Sequence, residues 1–257
     1  MIWNIDPVLV DLGPLEIRYY GVFFALGLFL AYSLIRFMAK KKGLSLDIVE
    51  NLTVVLLVGL IVGARLGHIV FYELDYYLAN PIQILKVWEG GLASHGAAIG
   101  LLVAFGFFLW RHPKVRFLDY ADVLVVGATI PVSLIRLGNF FNSELVGRVT
   151  EVPWAVVFER VDALSRHPSQ LYEFGMGMLL FAILFPLWLK KYKTLKPGFF
   201  FGLFFMLYFA MRFSVEFFKD FPLHQGFLDL TTGQILSIPF FTLGFAVFLY
   251  SHAKKHS

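Results

Sequence analysis

Seven long apolar runs separated by short polar connections dominate the hydrophobic pattern of this chain. A membrane-spanning helix needs about 20 mostly apolar residues, and by that rule the runs at 19–37, 49–72, 92–110, 120–137, 171–189, 199–218 and 232–250 each read as a span. The connections are not equivalent. Arg36 with Lys40, Lys41 and Lys42 follows the first run, Arg111 with Lys114 and Arg116 the third, Lys190 with Lys191, Lys193 and Lys196 the fifth, and Lys254 with Lys255 closes the chain. The alternate connections are poorer in positive charge, holding Arg18, Lys86, Lys219, and Arg148, Arg160 and Arg166 spread over one long loop. Because positive charge is retained on the cytoplasmic side, this pattern predicts an outer N-terminus and a cytoplasmic C-terminus. An odd number of spans agrees, since it places the two termini on opposite sides.

One connection is longer than a simple loop requires. Residues 138–168 separate the fourth and fifth runs, and unstructured loops of that length are uncommon. Within them, 154–158 is a β-branched and aromatic stretch after Pro153, which predicts a small strand-containing head on the outer face. The acidic residues near the N-terminus are unlike the basic start of a signal peptide, so the first run is expected to stay as a span.

Composition supports the pattern. The 257 residues are 58% hydrophobic and 16% charged, with a mean hydropathy of +0.72, whereas soluble domains run at about 45–50% apolar and about 25% charged. The fold class predicted is therefore an all-α integral membrane protein, a single membrane domain over 1–257 with its head at 138–168. A net charge of +4 is explained by topology, and nucleic acid is not expected as a partner. The absence of cysteine excludes disulfides, thiolate metal sites and a thiol nucleophile of the protein's own. No metal-ligand spacing appears, and no cofactor is expected.

Polar groups inside the runs carry the functional signal. An arginine near the centre of a membrane helix costs roughly 2.5–3.5 kcal/mol on insertion scales, so it is expected to face protein, water or an anion. Arg136, Asn139 and Asn142 fall three apart at the end of the fourth run and form one stripe, followed by Glu144, whose partner is Arg136, Arg148 or a substrate hydroxyl. Tyr208, Arg212 and Glu216 share one face of the sixth run at i, i+4 and i+8. Two guanidiniums among few carboxylates suggest an anionic ligand, and their forked donors match phosphate oxygens. Arg65, His68 and Tyr72 form a third stripe, where snorkelling to the interface is an equally good explanation. His95 stands in a glycine-rich turn, Gly90-Gly91-Leu92-Ala93-Ser94-His95-Gly96, and is the residue type suited to moving a proton near neutral pH. Ser169, in His167-Pro168-Ser169-Gln170-Leu171-Tyr172-Glu173, is placed to cap the fifth helix.

The stretch Arg136-Leu137-Gly138-Asn139-Phe140-Phe141-Asn142-Ser143-Glu144-Leu145-Val146-Gly147 closely resembles the signature of bacterial prolipoprotein diacylglyceryl transferases. Arg18 to Gly21, Gly63 to Gly67, Gly90 to Gly96, His167 to Glu173, and Arg212 with Glu216 match that family in order along nearly the whole chain. Two positions depart from the pattern: Ile135 replaces the signature's leading glycine, and Ala97 the last glycine of His-Gly-Gly.

The resemblance implies transfer of a diacylglyceryl group from phosphatidylglycerol to the lipobox cysteine thiol in the signal peptide of a prolipoprotein. A thioether forms and glycerol phosphate leaves, in a bacterial cytoplasmic (inner) membrane. It further implies His95, Arg136 and Arg212 as catalytic residues. Tyr20, Arg65, Asn139, Asn142, Glu144, Gly147, Tyr208 and Glu216 are implied in substrate binding, with Arg136 serving in both roles. An organic-phosphate transporter or channel is the rival reading, since buried arginines suit it equally well.

Overall fold

The computed structural model describes residues 1–13, 16–87, 90–220 and 229–253, and at 94, 95 and 253 the backbone alone. The chain forms two compact units, one of Met1–Lys42 with Leu118–Ser257 and the other of Gly43–Phe117.

The first unit is built on five helices: α1 (Tyr19–Lys42), α5 (Phe117–Phe141, its first residue belonging to the other unit), α6 (Ser169–Lys191), α7 (Phe199–Val215) and α8 (Thr232–Ala253). Their ends follow local chemistry. Lys40, Lys41 and Lys42 fill the last turn of α1, where cations meet the negative end of the helix dipole. The start of α7 is capped from another helix: buried Asp122 of α5 accepts from the amides of Gly198 at 3.0 Å and Phe201 at 2.9 Å. At α8, Thr231 and Gln234 exchange hydrogen bonds of 3.0 and 3.3 Å between side chain and backbone, a capping box that satisfies orphan amides of the first turn.

Small strands complete this unit. β1 (Ile2–Trp3) pairs in parallel with β4 (Val156–Phe158), which pairs antiparallel with β5 (Ser165–Arg166). β2 (Val8–Asp11) and β3 (Glu16–Arg18) form an antiparallel pair leading into α1. The expected strand within the 138–168 segment is therefore present as β4. Its inward side chains Val156 and Phe158 join Trp3 and Phe140 in a buried cluster, with Phe141, Val146 and Leu171 packed against it.

In the second unit, α2 (Leu46–Tyr72) packs on α4 (Ser94–Arg111), with α3 (Leu74–Ala79) and a 3-10 turn (Pro81–Leu85) between them in sequence. The side chain of Ser45 accepts from the Ile48 amide to start α2. Gly59, Gly63 and Gly67 on α2 face Gly96 and Gly100 on α4 so closely that an added Cβ would collide with the opposing backbone. Helices in lipid associate through such close van der Waals approach.

Among the described residues, six helices are long and apolar enough to cross a membrane: α1, α2, α5, α6, α7 with its following turn, and α8. The seventh expected span, 92–110, coincides with α4, whose described apolar stretch Gly96–Arg111 is shorter.

Candidate functional site

Three cations and two carboxylates meet inside the first unit. Glu173, one turn into α6 and 1% exposed, accepts from Arg212 Nη1 at 2.8 Å and Lys219 Nζ at 2.9 Å through Oε1. Its Oε2 lies 3.3 Å from Arg136 Nε without an aligned hydrogen bond. Glu216 closes the network, with Oε2 at 3.2 Å from Arg212 Nη1 and 3.5 Å from Lys219 Nζ. Arg136 from α5 and Arg212 from α7 thus converge on one carboxylate.

Local structure explains the placement. Tyr208 and Arg212 are one helical turn apart on α7. The helix then tightens into a 3-10 turn over Glu216–Phe218. Residues three apart eclipse in that geometry, which brings Lys219 over Glu216. The start of α8 comes so close that a Cβ at Gly233 would strike the Glu216 carboxylate, leaving Glu216 beside the positive end of a helix.

The signature after Arg136 forms an adjoining relay. Arg136 Nη1 makes a long 3.5 Å contact to Asn139 Oδ1. Asn139 and Asn142 each donate to Glu144, at 2.9 and 3.1 Å. Neither arginine expected as a partner of Glu144 bonds it directly: these two amides do, with Arg136 one side chain further on. Arg148 instead donates to the Lys219 carbonyl at 2.8 Å. Flanking Glu144, Ser143 and Leu145 have φ of 56° and 54°, a left-handed conformation uncommon outside glycine that concentrates at functional sites.

The tight turn at 143–145 is held from α6. Gln170 Nε2 donates to the Glu144 carbonyl at 2.5 Å and Ser169 Oγ to the Leu145 carbonyl at 2.8 Å. Ser169 therefore does not cap α6 as expected; Pro168 is the N-cap, and no side chain bonds there. Gly147 is where three strands of chain cross: its amide donates to the His167 carbonyl at 3.0 Å, and a Cβ would lie 2.6 Å from the Phe218 carbonyl.

Two tyrosines border the cluster. The Tyr208 phenol stands in the fields of Arg136, Arg212 and Glu173. The Tyr20 ring lies against Gly138, and its phenol feels Glu144 and Arg136. Below the strands, burial holds the His167 imidazole under its ordinary pKa, and His167 Nδ1 lies 3.0 Å from the Tyr172 hydroxyl.

Arg65 and His95 belong to the second unit. Arg65 does not snorkel. It is 5% exposed and donates to the carbonyls of Gln83, Ile84, Lys86, Gly90 and Gly91, with Tyr77 under its guanidinium. It thereby ties down the turn in which Gly90 and Gly91 adopt φ of 94° and 67°, just ahead of α4. A cavity of about 660 Å³ beside it is lined by His68, Glu73, Asp75 and Tyr77, among others. His95 lies in the first turn of α4, and its side chain is outside the described residues.

Residues 7–250 match the sequence model of a family described as prolipoprotein diacylglyceryl transferase. The chain belongs to that family. A relative from Tolumonas auensis, named phosphatidylglycerol-prolipoprotein diacylglyceryl transferase, is 44% identical over 257 residues, 99% of each chain. Relatives of the same name are 40% identical in Geobacter sulfurreducens, over 98% of this chain and 97% of theirs, and in Chloroherpeton thalassium, over 94% and 91%.

Glu173 and Lys219 were not singled out as site residues from the sequence. Glu173 is a carboxylate within an apolar run, the same signal that exposed Arg136. Lys219 follows the sixth run and reads as an ordinary loop charge until the 3-10 turn folds it inward.

Proposed function

We propose that this chain transfers the diacylglyceryl group of phosphatidylglycerol to the lipobox cysteine thiol of prolipoproteins. The observation that carries the reading is the convergence of Arg136 and Arg212 on Glu173 in an apolar helical unit, with cations outnumbering the carboxylates they touch. Such a cluster suits a phosphate carried on a lipid.

The reaction is a displacement at the glycerol carbon bonded to the phosphate oxygen. The peptide's sulfur forms the carbon–sulfur bond as the carbon–oxygen bond breaks, the bonding pair leaves with glycerol phosphate, and the thiol proton passes to a base. Arg136 and Arg212 hold the phosphate and stabilise the charge growing on the leaving oxygen. Tyr20, Asn139, Asn142, Glu144, Tyr208 and Glu216 position the headgroup or orient the guanidiniums, and Gly147 admits the close crossing on which the Glu144 turn rests. His95 is the candidate base: a free thiol with a pKa of about 8.5 is only slightly ionised at neutral pH. For Arg65, its five carbonyl partners favour holding the turn ahead of α4 over touching the lipid. No cofactor is required by this chemistry.

The setting is a bacterial inner membrane crossed seven times, with α4 as the third span, the N-terminus and the 138–168 head outside, and the C-terminus in the cytoplasm. The charge asymmetry of the connections supports this orientation.

The purified chain, given phosphatidylglycerol and a lipobox peptide, is expected to add one diacylglyceryl mass to the peptide's cysteine. Arg136→Ala and Arg212→Ala are each expected to slow the reaction by about 10²- to 10³-fold. No lipid-dependent mass on the cysteine, as a transporter of organic phosphates would give, refutes the reading. Near-wild-type turnover in His95→Ala refutes the base assignment alone.

A further inference from the structure

A buried lysine needs a reason. Lys219 is 2% exposed and bridges Glu173 and Glu216, and replacing buried ion pairs by packed apolar side chains is often neutral or stabilising. Packing alone would be served by methionine.

Charge bookkeeping over the network supplies the reason. Without Lys219, the two arginines face two carboxylates and cancel. With it, the ion-paired network among the described residues carries one positive charge in excess. The excess is expressed at the arginines, because their side chains remain 20% and 22% exposed while Glu173, Glu216 and Lys219 are at 2%. Glu144 does not offset it at contact distance: it is exposed, satisfied by two asparagine amides, and separated from Arg136 by Asn139. The backbone that delivers Lys219 is itself pinned, with Arg148 donating through its amide to the Phe218 carbonyl at 2.9 Å and through Nε to the Lys219 carbonyl.

We propose that Lys219 is a specificity-determining positioning residue that acts through Arg136 and Arg212, tuning the site to a phospholipid whose phosphate carries one negative charge and whose headgroup carries none. This rests on the diacylglyceryl-transfer reading of the same site. A single surplus charge is matched by one phosphodiester anion. A headgroup that adds an ammonium brings a cation toward the guanidiniums, and like charges at close range in a weakly screening interior oppose binding.

The test compares wild type with Lys219→Met, Glu216→Gln and the double variant Lys219→Met/Glu216→Gln. These carry a network charge of zero, two and one, the last equal to wild type. Two experiments are run in mixed micelles: kinetics giving KM and kcat for phosphatidylglycerol with a lipobox peptide, and thermal stabilisation by phosphatidylglycerol against phosphatidylethanolamine. Lys219→Met is expected to raise KM by about ten- to a hundredfold with a much smaller change in kcat, and to narrow the preference for phosphatidylglycerol. The double variant is expected to recover most of both.

A kcat loss at unchanged KM, or no recovery in the double variant, overturns the proposal. If Lys219→Met does not fold, Glu216→Gln must bind phosphatidylglycerol more tightly than the double variant, and equal binding overturns it. Wild type that shows no transfer yet keeps this charge-dependent lipid preference would sink the reaction and spare the role of Lys219.

Discussion

A methyl group at residue 147 has nowhere to go, because carbonyls of His167 and Phe218 already occupy the space. Gly147→Ala is expected to lower stability by about 1–3 kcal/mol, the usual range for overpacking, read as a fall in melting temperature in detergent. The loss should extend to the turn that presents Glu144, since Gly147 hydrogen-bonds the same His167 segment from which Ser169 and Gln170 reach back to residues 144 and 145. At this scale the site was partly legible in sequence. Arg136, Asn139 and Arg212 stand out because polar groups in apolar runs are costly. Glu173 gives the same signal, but it stands near the start of its run, where a carboxylate also suits the positive end of a helix. Lys219 gives none, because an isolated lysine at the end of a run looks like any surface charge.

At the scale of elements, helix positions follow from apolar length and from end chemistry read locally. The strand within the 138–168 segment is likewise foreshadowed by Val156, Val157 and Phe158. The ends that depend on distant partners are not legible: Asp122 of α5 capping α7, or Ser169 turned to a loop carbonyl instead of its own helix. β5 illustrates the consequence for pH. Arg166 binds Asp162 at 2.6 Å and Asp220 at 2.8 Å. The Arg166 hydrogen bonds, helped by the Leu164 amide, hold the Asp162 carboxyl below its ordinary pKa. A carboxyl lowered by folding contributes stability above its unfolded pKa of about 3.9, and that contribution is lost as pH falls through the lower folded value. Asp162→Asn is therefore expected to melt below wild type at pH 7, with the difference shrinking as the pH is taken below about 4. A difference independent of pH would contradict this.

For the molecule as a whole, the proposed orientation is directly testable because the chain contains no cysteine. Arg160→Cys in the head and Thr194→Cys between α6 and α7 both sit at exposed positions. In intact cells a membrane-impermeant thiol reagent is expected to label Arg160→Cys and to reach Thr194→Cys only after lysis. The reverse pattern would invert the topology. Apolar length, the charge of each connection and the presence of ionisable groups inside a run depend on a residue and its chain neighbours, so the sequence by itself determined the helical membrane class, the candidate arginines and the family. The tertiary structure alone decided that Glu173 would gather Arg212 from 39 residues away and Lys219 from 46. Which helix face turns toward which neighbour is set by packing across the unit, and the net charge of a site is a property of the faces that meet.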